Sequence, residues 1–371
     1  MKNILITGAK GFIGKNLTAA FKELKDKTLF LYDIEDSLET LKEYVQSADI
    51  IFHLAGVNRP KEESEFTTGN LGSLEQVINF CECNDKKIPI VLTSSIQAEN
   101  DNPYGISKKS AEDALIDYGK RNDVEVYVYR LKNVFGKWCR PNYNSGISTF
   151  CHNIANDIPV TISNRENIVN LVYIDDIIDE FTHILDRHNV VIEKYYHEIG
   201  ISYSKTLGEI VDTLNMIKNS RNDLTLPDMK DGFEKKLYST FLSYLAKDNF
   251  SYDLKMNVDN RGSFTEFIRT ENKGQVSVNI SKPGITKGNH WHHTKTEKFL
   301  VVSGKGAIRF RDINSEEIIE YLVSGDKLEV VDIPPGYTHN ISNLGDKDMV
   351  TVMWANEAFD PEKPDTFFLE V

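Results

Sequence analysis

Two groups of residues in this chain have the types and spacing to do chemistry. The first lies late in the sequence. His290 and His292 flank Trp291, Glu297 follows, and His339 closes the run Pro334-Pro335-Gly336-Tyr337-Thr338-His339. Residues separated by one lie on the same face of a strand, so His290 and His292 aim at one point. Glu297 and His339 reach that point from neighbouring strands of a small barrel. Imidazoles with one carboxylate suit zinc, iron, manganese or nickel. Four of the nine histidines fall in this region, which makes it the natural ligand set. The second group is Thr93-Ser94-Ser95 with Tyr104 and Lys108. Tyr104 and Lys108, four apart on a helix, share a face. A nearby ammonium lowers a phenol's pKa and fits it for general acid or base work near neutral pH. A serine at the end of the preceding strand hydrogen-bonds the same substrate oxygen.

These groups need elements to hold them. Lys2 to Thr7 reads as a buried strand that runs into Thr7-Gly8-Ala9-Lys10-Gly11-Phe12-Ile13-Gly14 and then a helical pattern to about Leu24. Glycines between a strand and a helix let the backbone approach a pyrophosphate at the helix N-terminus. The next strand, Thr28 to Tyr32, ends at Asp33, an acid placed to bind a ribose hydroxyl and repel a 2′-phosphate. Asp33 therefore favours NADH, while Lys10 offers a cation for the phosphate of NADPH. A third strand from Asp49 ends in Leu54-Ala55-Gly56, and Leu54 and Ala55 are assigned with the glycine turn to the cofactor. A helix over Glu75 to Cys83 and a strand over Ile88 to Thr93 follow. This alternation specifies a parallel sheet with helices on both faces. After a strand from Val124 to Arg130, the run Asn133 to Asn142 opens a substrate-facing portion in which Lys137 and Arg140 are placed to pair with a diphosphate. The helical pattern breaks over residues 246–253, and from Lys255 short strands with turn residues indicate an all-β barrel.

At 371 residues the chain accommodates two domains. Its net charge of −13 makes it a poor general nucleic-acid binder. No apolar run reaches the ~18 residues a membrane span needs, and the N-terminus opens on a strand, not a signal peptide. Cys81, Cys83, Cys139 and Cys151 lack metal-ligand spacing and read as reduced thiols of a cytoplasmic protein.

The histidine pattern resembles the cupin family, which implies His290, His292, Glu297 and His339 as metal ligands. Leu328 stands where that family carries the leading glycine of its second motif, with Gly325 nearby. The glycine turn, Ser95, Tyr104 and Lys108 resemble the extended short-chain dehydrogenase/reductases, in the sugar-nucleotide epimerase/dehydratase branch. That likeness implies Tyr104 as catalytic acid/base, Ser95 as the family serine with Ser94 as the alternative, Lys108 as the assistant of Tyr104 on the nicotinamide ribose, Asn133 as a substrate contact and Asp49 as the acid that approaches the adenine. Asp259-Asn260-Arg261-Gly262-Ser263-Phe264-Thr265-Glu266 resembles the opening of cupin-fold 3,5-epimerases acting on nucleotide 4-keto-6-deoxysugars. This implies substrate-binding roles for Arg261, Lys287 and Lys298. The expected fold is α/β plus all-β: a Rossmann-type doubly wound parallel sheet over residues 1–247, then a metal-binding cupin β-barrel over 252–371.

The combination resembles a family of bifunctional capsular polysaccharide enzymes. It implies NADPH, zinc, a homodimer and a UDP-linked 4-keto-6-deoxy-N-acetylhexosamine. The cupin domain then epimerises carbon 3 and the reductase domain reduces carbon 4 to give UDP-N-acetyl-6-deoxy-L-talosamine. Lys298 and His293 stand as candidates for the epimerisation base. The alternative is a single-activity 4-ketoreductase whose barrel binds sugar or pairs subunits.

Overall fold

The computed structural model describes residues 2–83, 86–186, 194–247, 249–250, 252–270, 274–292, 295–313, 315–334, 336–362 and 364–371. The chain divides into two compact units, residues 1–215 with 230–246, and residues 216–229 with 247–371. One helix spans Leu207–Asp223. Its residues from Met216 onward belong to the second unit, where Leu224 O accepts the Arg269 N–H at 2.7 Å and Thr225 bridges to Arg269.

The first unit is built on a six-stranded sheet. Its order is Lys27–Tyr32, Lys2–Thr7, Ile50–His53, Ile90–Ser95, Val126–Leu131 and Tyr196–His197, each strand parallel to its neighbour. Both faces are buried, so the strands are almost continuously apolar. Leu5, Ile51, Ile90 and Val128 pack with Leu41, Val45, Leu74, Val77 and Leu115 on one face. On the other, Phe52 meets Phe21 and Phe181, and Phe181 meets Tyr129. A separate three-stranded sheet, Asn133–Phe135, Ile168–Tyr173 and Tyr203–Thr206, carries the expected substrate-side portion.

The second unit is two antiparallel sheets. One has the order Asn257–Asp259, Gly262–Thr270, Gly274–Ser281, Met349–Ala355, Glu297–Ser303, Val330–Ile333. The other runs Ile318–Ser324, Lys305–Asp312, Tyr337–Asn343, Thr286–Trp291, Phe367–Phe368. Both feed one core, in which Phe299, Val301, Val331, Ile333 and Met349 from the first sheet meet Ile308, Phe310, Val323 and Ile341 from the second. No described helix is long and apolar enough to cross a membrane.

Candidate active site and candidate metal centre

The glycine turn sits at the carboxyl end of strand Lys2–Thr7. Gly8 has φ +67°, and a Cβ there would stand 2.7 Å from Ala55 N. A Cβ on Gly14 would stand 2.2 Å from Gly8 O. Leu54 N–H donates to Thr7 O at 3.2 Å, so Leu54 and Ala55 close against the turn. Gly11 caps helix Phe12–Lys22 without a side chain, leaving its first-turn N–H groups, Phe12 and Ile13 among them, to a ligand. A bare backbone at an uncapped helix N-terminus fits a dinucleotide pyrophosphate. Asp33 lies beside this turn: its carboxylate accepts from Lys10 N at 2.7 Å and Ile34 N at 2.9 Å. The Lys10 ammonium pairs with Glu35.

Asp49 requires a correction. It precedes strand Ile50–His53 and accepts from Asn3 N at 2.8 Å, with Lys86 at 3.4 Å. That is the amino end of the sheet, whereas the glycine turn leaves from the carboxyl end, so Asp49 does not approach the adenine site and instead ties two strand starts together.

Tyr104, Lys108 and Glu112 form one stripe on helix Pro103–Asn122. Pro103 opens the helix, and the Asn102 side chain caps it by accepting from Gly105 N at 2.8 Å. The Ser95 hydroxyl lies near the Tyr104 phenol, close enough to lower its pKa, and accepts from Gln97 N at 3.2 Å. Ser94 points elsewhere, donating to Glu112 Oε1 at 2.6 Å, so Ser95 is the serine that shares Tyr104's space. The expected lowering of the phenol by Lys108 is not found: burial pushes Tyr104 up, with Ser95 opposing. Burial likewise depresses Lys108 to about 8, with Glu112 opposing. The Lys108 ammonium donates to Thr93 O at 3.2 Å, and a Cβ on Gly56 would come within 3.1 Å of it. Asn70, in a π-helical turn over Thr67–Gly72, donates to Ser107 Oγ at 3.0 Å. Such turns recur at functional sites.

Glu112 was not singled out from the sequence, although its place four residues past Lys108 was a usable signal. It is fully buried and takes Arg130 Nε at 2.9 Å and Nη2 at 2.7 Å, besides Ser94. Removing one member of such a buried pair strands the other charge; here it would also withdraw the carboxylate that supports the Lys108 charge.

His53, 1% exposed, has Thr7 Oγ1 at 2.9 Å and Ser73 Oγ at 3.4 Å. Burial and then Lys108 hold it down at about 3. In the unfolded chain its pKa is near 6.5, so on acidification the unfolded state takes the proton first. Stability is therefore lost as pH falls from about 6.5 towards about 3, by up to ~4 kcal/mol from this one group. We predict that urea melts of His53→Gln will show a flatter decline over that range than the parent; parallel curves would show that His53 carries none of it.

Among the substrate-side candidates, the Asn133 amide donates to Asn170 O at 3.1 Å. Lys137 is neutralised by Asp175 at 2.8 Å. Arg140 lies over the Tyr143 ring.

In the second unit, strand Thr286–Trp291 is irregular between Gly288 and His290, with Gly288 at φ +108° and Asn289 at φ +60°. The irregularity brings His290 opposite His339. Glu297 opens the strand on the facing sheet. The ligand atoms of His290, His292, Glu297 and His339 all lie within 4.8 Å of one another. Glu297 Oε2 is 3.3 Å from His339 Nε2 and 3.5 Å from His292 Nε2. His292 Nε2, Glu297 Oε2 and both His339 ring nitrogens are buried without a hydrogen-bond partner among the described residues. Converging buried lone pairs left unpaired fit a cation. The Asp365 carbonyl lies 2.6 Å from His292 Nδ1, which leaves Nε2 as the ligating nitrogen.

Lys287 lies on the inward face, opposite Ile341, and donates to Asn279 Oδ1 at 2.8 Å and Ile280 O at 2.9 Å. Burial, with Arg261 adding to it and Asp259 opposing, holds its pKa below the usual lysine value. Arg261 itself is paired with Asp259 at 2.6 Å. Lys298 requires the second correction. It alternates with Glu297 and Phe299, which face inward, so it projects from the opposite face, where it pairs with Asp332. It is neither base nor donor at the cluster. His293 lies outside the described residues.

Residues 4–197 match the NAD dependent epimerase/dehydratase family, and residues 257–367 match the polysaccharide biosynthesis C-terminal domain. The chain is 44% identical over 368 residues to the UDP-2-acetamido-2,6-beta-L-arabino-hexul-4-ose reductase of Pseudomonas aeruginosa, covering 99% of this chain and 98% of that one. It is 57% identical to the capsular polysaccharide assembling protein CapF of Staphylococcus aureus, whose crystal structure matches with a TM-score of 0.93 over 100% of both chains. The UDP-glucuronic acid 4-epimerase of Bacillus cereus, 21% identical with a TM-score of 0.53 over 58% of this chain and 83% of that one, shares the fold.

Proposed function

The chain belongs to the NAD dependent epimerase/dehydratase family, and on that footing we propose that it is a bifunctional enzyme of capsular polysaccharide precursor synthesis. Its substrate in this reading is a UDP-linked 4-keto-6-deoxy-N-acetylhexosamine. The C-terminal unit, a zinc-binding cupin barrel, inverts carbon 3, and the N-terminal unit reduces carbon 4 to give UDP-N-acetyl-6-deoxy-L-talosamine. The observation that carries the reading is the coexistence of two sites in one chain: Ser95 near Tyr104 with Lys108 one turn on, and the cluster of His290, His292, Glu297 and His339, in which His292 and His339 are buried.

The ketone at carbon 4 acidifies the proton on carbon 3. That proton leaves and returns on the opposite face. His290, His292, Glu297 and His339 would hold the zinc, which when bound would supply Lewis-acid stabilisation of negative charge developing on the carbonyl oxygen. Lys287 adds a hydrogen bond to the same oxygen, since an ammonium has three donors and two are spent on Asn279 and Ile280. In the reductase unit the nicotinamide, when bound, supplies the hydride that carbon 4 accepts. Tyr104 donates its phenol proton to the oxygen on carbon 4, and Ser95 hydrogen-bonds that oxygen. Lys108 holds the nicotinamide ribose. Reduction removes the ketone and with it the acidity of carbon 3, so it locks in the inverted configuration. This is a chemical reason to join the two units. The reading includes a homodimer; the outer face of the six-stranded antiparallel sheet carries Val276, Val278, Val352 and Trp354, an apolar surface that pairing covers.

NADPH is the proposed reductant, with Lys10 exchanging Glu35 for the 2′-phosphate; their pair is solvent-exposed and cheaply broken. Lys10→Ala should raise the KM for NADPH roughly tenfold and leave that for NADH within about twofold. Equal effects on both would remove Lys10 from the phosphate site, and the unmodified enzyme preferring NADH would favour the role of Asp33.

The function is tested by proton NMR in deuterated water with the keto sugar nucleotide and enzyme but no nicotinamide. Deuterium at carbon 3, followed by reduction when NADPH is added, is the expected result. Reduction with no exchange at carbon 3 would leave a 4-ketoreductase with a non-catalytic barrel.

A further inference from the structure

The first unit's described arginines divide sharply. Arg121 pairs with Glu82, Arg130 with Glu99 and Glu112, and Arg165 with Asp212. Arg59 and Arg140 pair with no acid among the described residues, in a chain whose net charge is −13. Both guanidiniums lie against one ring instead: Arg59 Cζ is 5.9 Å, and Arg140 Cζ 5.4 Å, from the Tyr143 centroid. Two like charges are thus held no more than about 11 Å apart on an exposed surface.

The backbones that carry them are fixed to the reductase site. Arg59 lies three residues past Gly56, the glycine that abuts the Lys108 ammonium. Val57, between them, has both its N–H and its carbonyl bound by the Asn70 side chain, at 3.0 and 3.1 Å. Arg140 follows Lys137, whose carbonyl takes the Asn16 amide of the glycine-turn helix at 3.3 Å, and Cys139, whose carbonyl takes the Tyr244 hydroxyl at 2.5 Å. Between these two anchors the backbone is strained, with Trp138 at φ +69°. A bulky residue in the left-handed region is costly and concentrates at ligand clamps.

We propose that Arg59 and Arg140, spaced by Tyr143, form the clamp that binds the diphosphate of the sugar nucleotide. The proposal rests on the sugar-nucleotide reading above and adds where the diphosphate goes. Each planar guanidinium offers paired N–H donors to one phosphoryl group, and the tyrosine ring keeps both forks oriented while the site is empty. Lys137, the other diphosphate candidate from the sequence, differs from both arginines in having a carboxylate partner, Asp175 at 2.8 Å.

The test is isothermal titration of the full chain with UDP, uridine, inorganic phosphate and NADPH. Arg59→Gln and Arg140→Gln should each weaken UDP by about 10- to 100-fold, with Arg59→Lys recovering part of the loss. Uridine and NADPH should be unchanged, since neither presents the substrate diphosphate to this clamp. Far-UV circular dichroism checks that the exposed substitutions leave the fold intact. UDP affinity within about twofold of the parent in both glutamine variants overturns the clamp and leaves the sugar-nucleotide reading standing. A parallel loss for NADPH reassigns the arginines to the cofactor, and inorganic phosphate binding as tightly as UDP makes the site a phosphate site; either result overturns the proposal. Absence of UDP binding by the unmodified chain defeats the sugar-nucleotide reading itself.

Discussion

Tyr104→Phe will lower the rate of 4-keto reduction by about 10²- to 10⁴-fold while leaving NADPH affinity nearly unchanged. Reduction of a ketone needs an acid, not a base, at the oxygen. Burial pushes the Tyr104 phenol up, so the group is protonated at neutral pH and ready to donate. Ser95 acts in the opposite sense to burial, favouring the phenolate left after transfer. Phenylalanine preserves the ring packing against Phe66, whose centroid is 5.5 Å away, and removes only the proton. The alkaline limb of the kcat profile should track the phenol. Loss of reduced-nicotinamide absorbance under saturating substrate is the readout. A variant retaining more than about a tenth of parent activity would mean that another group protonates the oxygen.

Glu297→Ala will strip the metal from the second unit and abolish exchange at carbon 3, with reductase chemistry on an already inverted ketone retained. The variant leaves three imidazoles facing one another with no counter-charge, and a metal held there would lose a direct ligand. Changes to residues that only support such ligands cost about 10- to 100-fold in affinity, so losing a ligand outright should cost at least that much. Elemental analysis gives the metal content directly. A chelator should lower the melting temperature of the parent and leave that of the variant where it is, because a metal that binds only the folded state stabilises it. A variant that keeps one equivalent of metal, or a parent that holds none, would refute the ligand set.

What could be read from the amino-acid sequence was local. Four-residue spacing on a helix put Tyr104 and Lys108 on one face, two-residue spacing on a strand put His290 and His292 together, and glycines between a strand and a helix marked the cofactor turn. These signals hold because one repeat of one element places both partners. Two errors were also local. Asp49 precedes its strand, so strand direction alone removes it from the carboxyl end, and Lys298 neighbours Glu297, so alternation alone turns it away. The rest needed the tertiary structure, because it depends on distant segments meeting. The choice of Ser95 over Ser94 follows from Glu112, whose own partner Arg130 comes from another strand. The Asp365 carbonyl reaches His292 across 73 residues of chain. Burial, which lifts Tyr104 and depresses Lys108 and His53, is a property of the packed interior and has no spacing. Residue type and local spacing nominate candidate groups; folding decides which of them face one another and how far the surrounding low-dielectric packing shifts their protons.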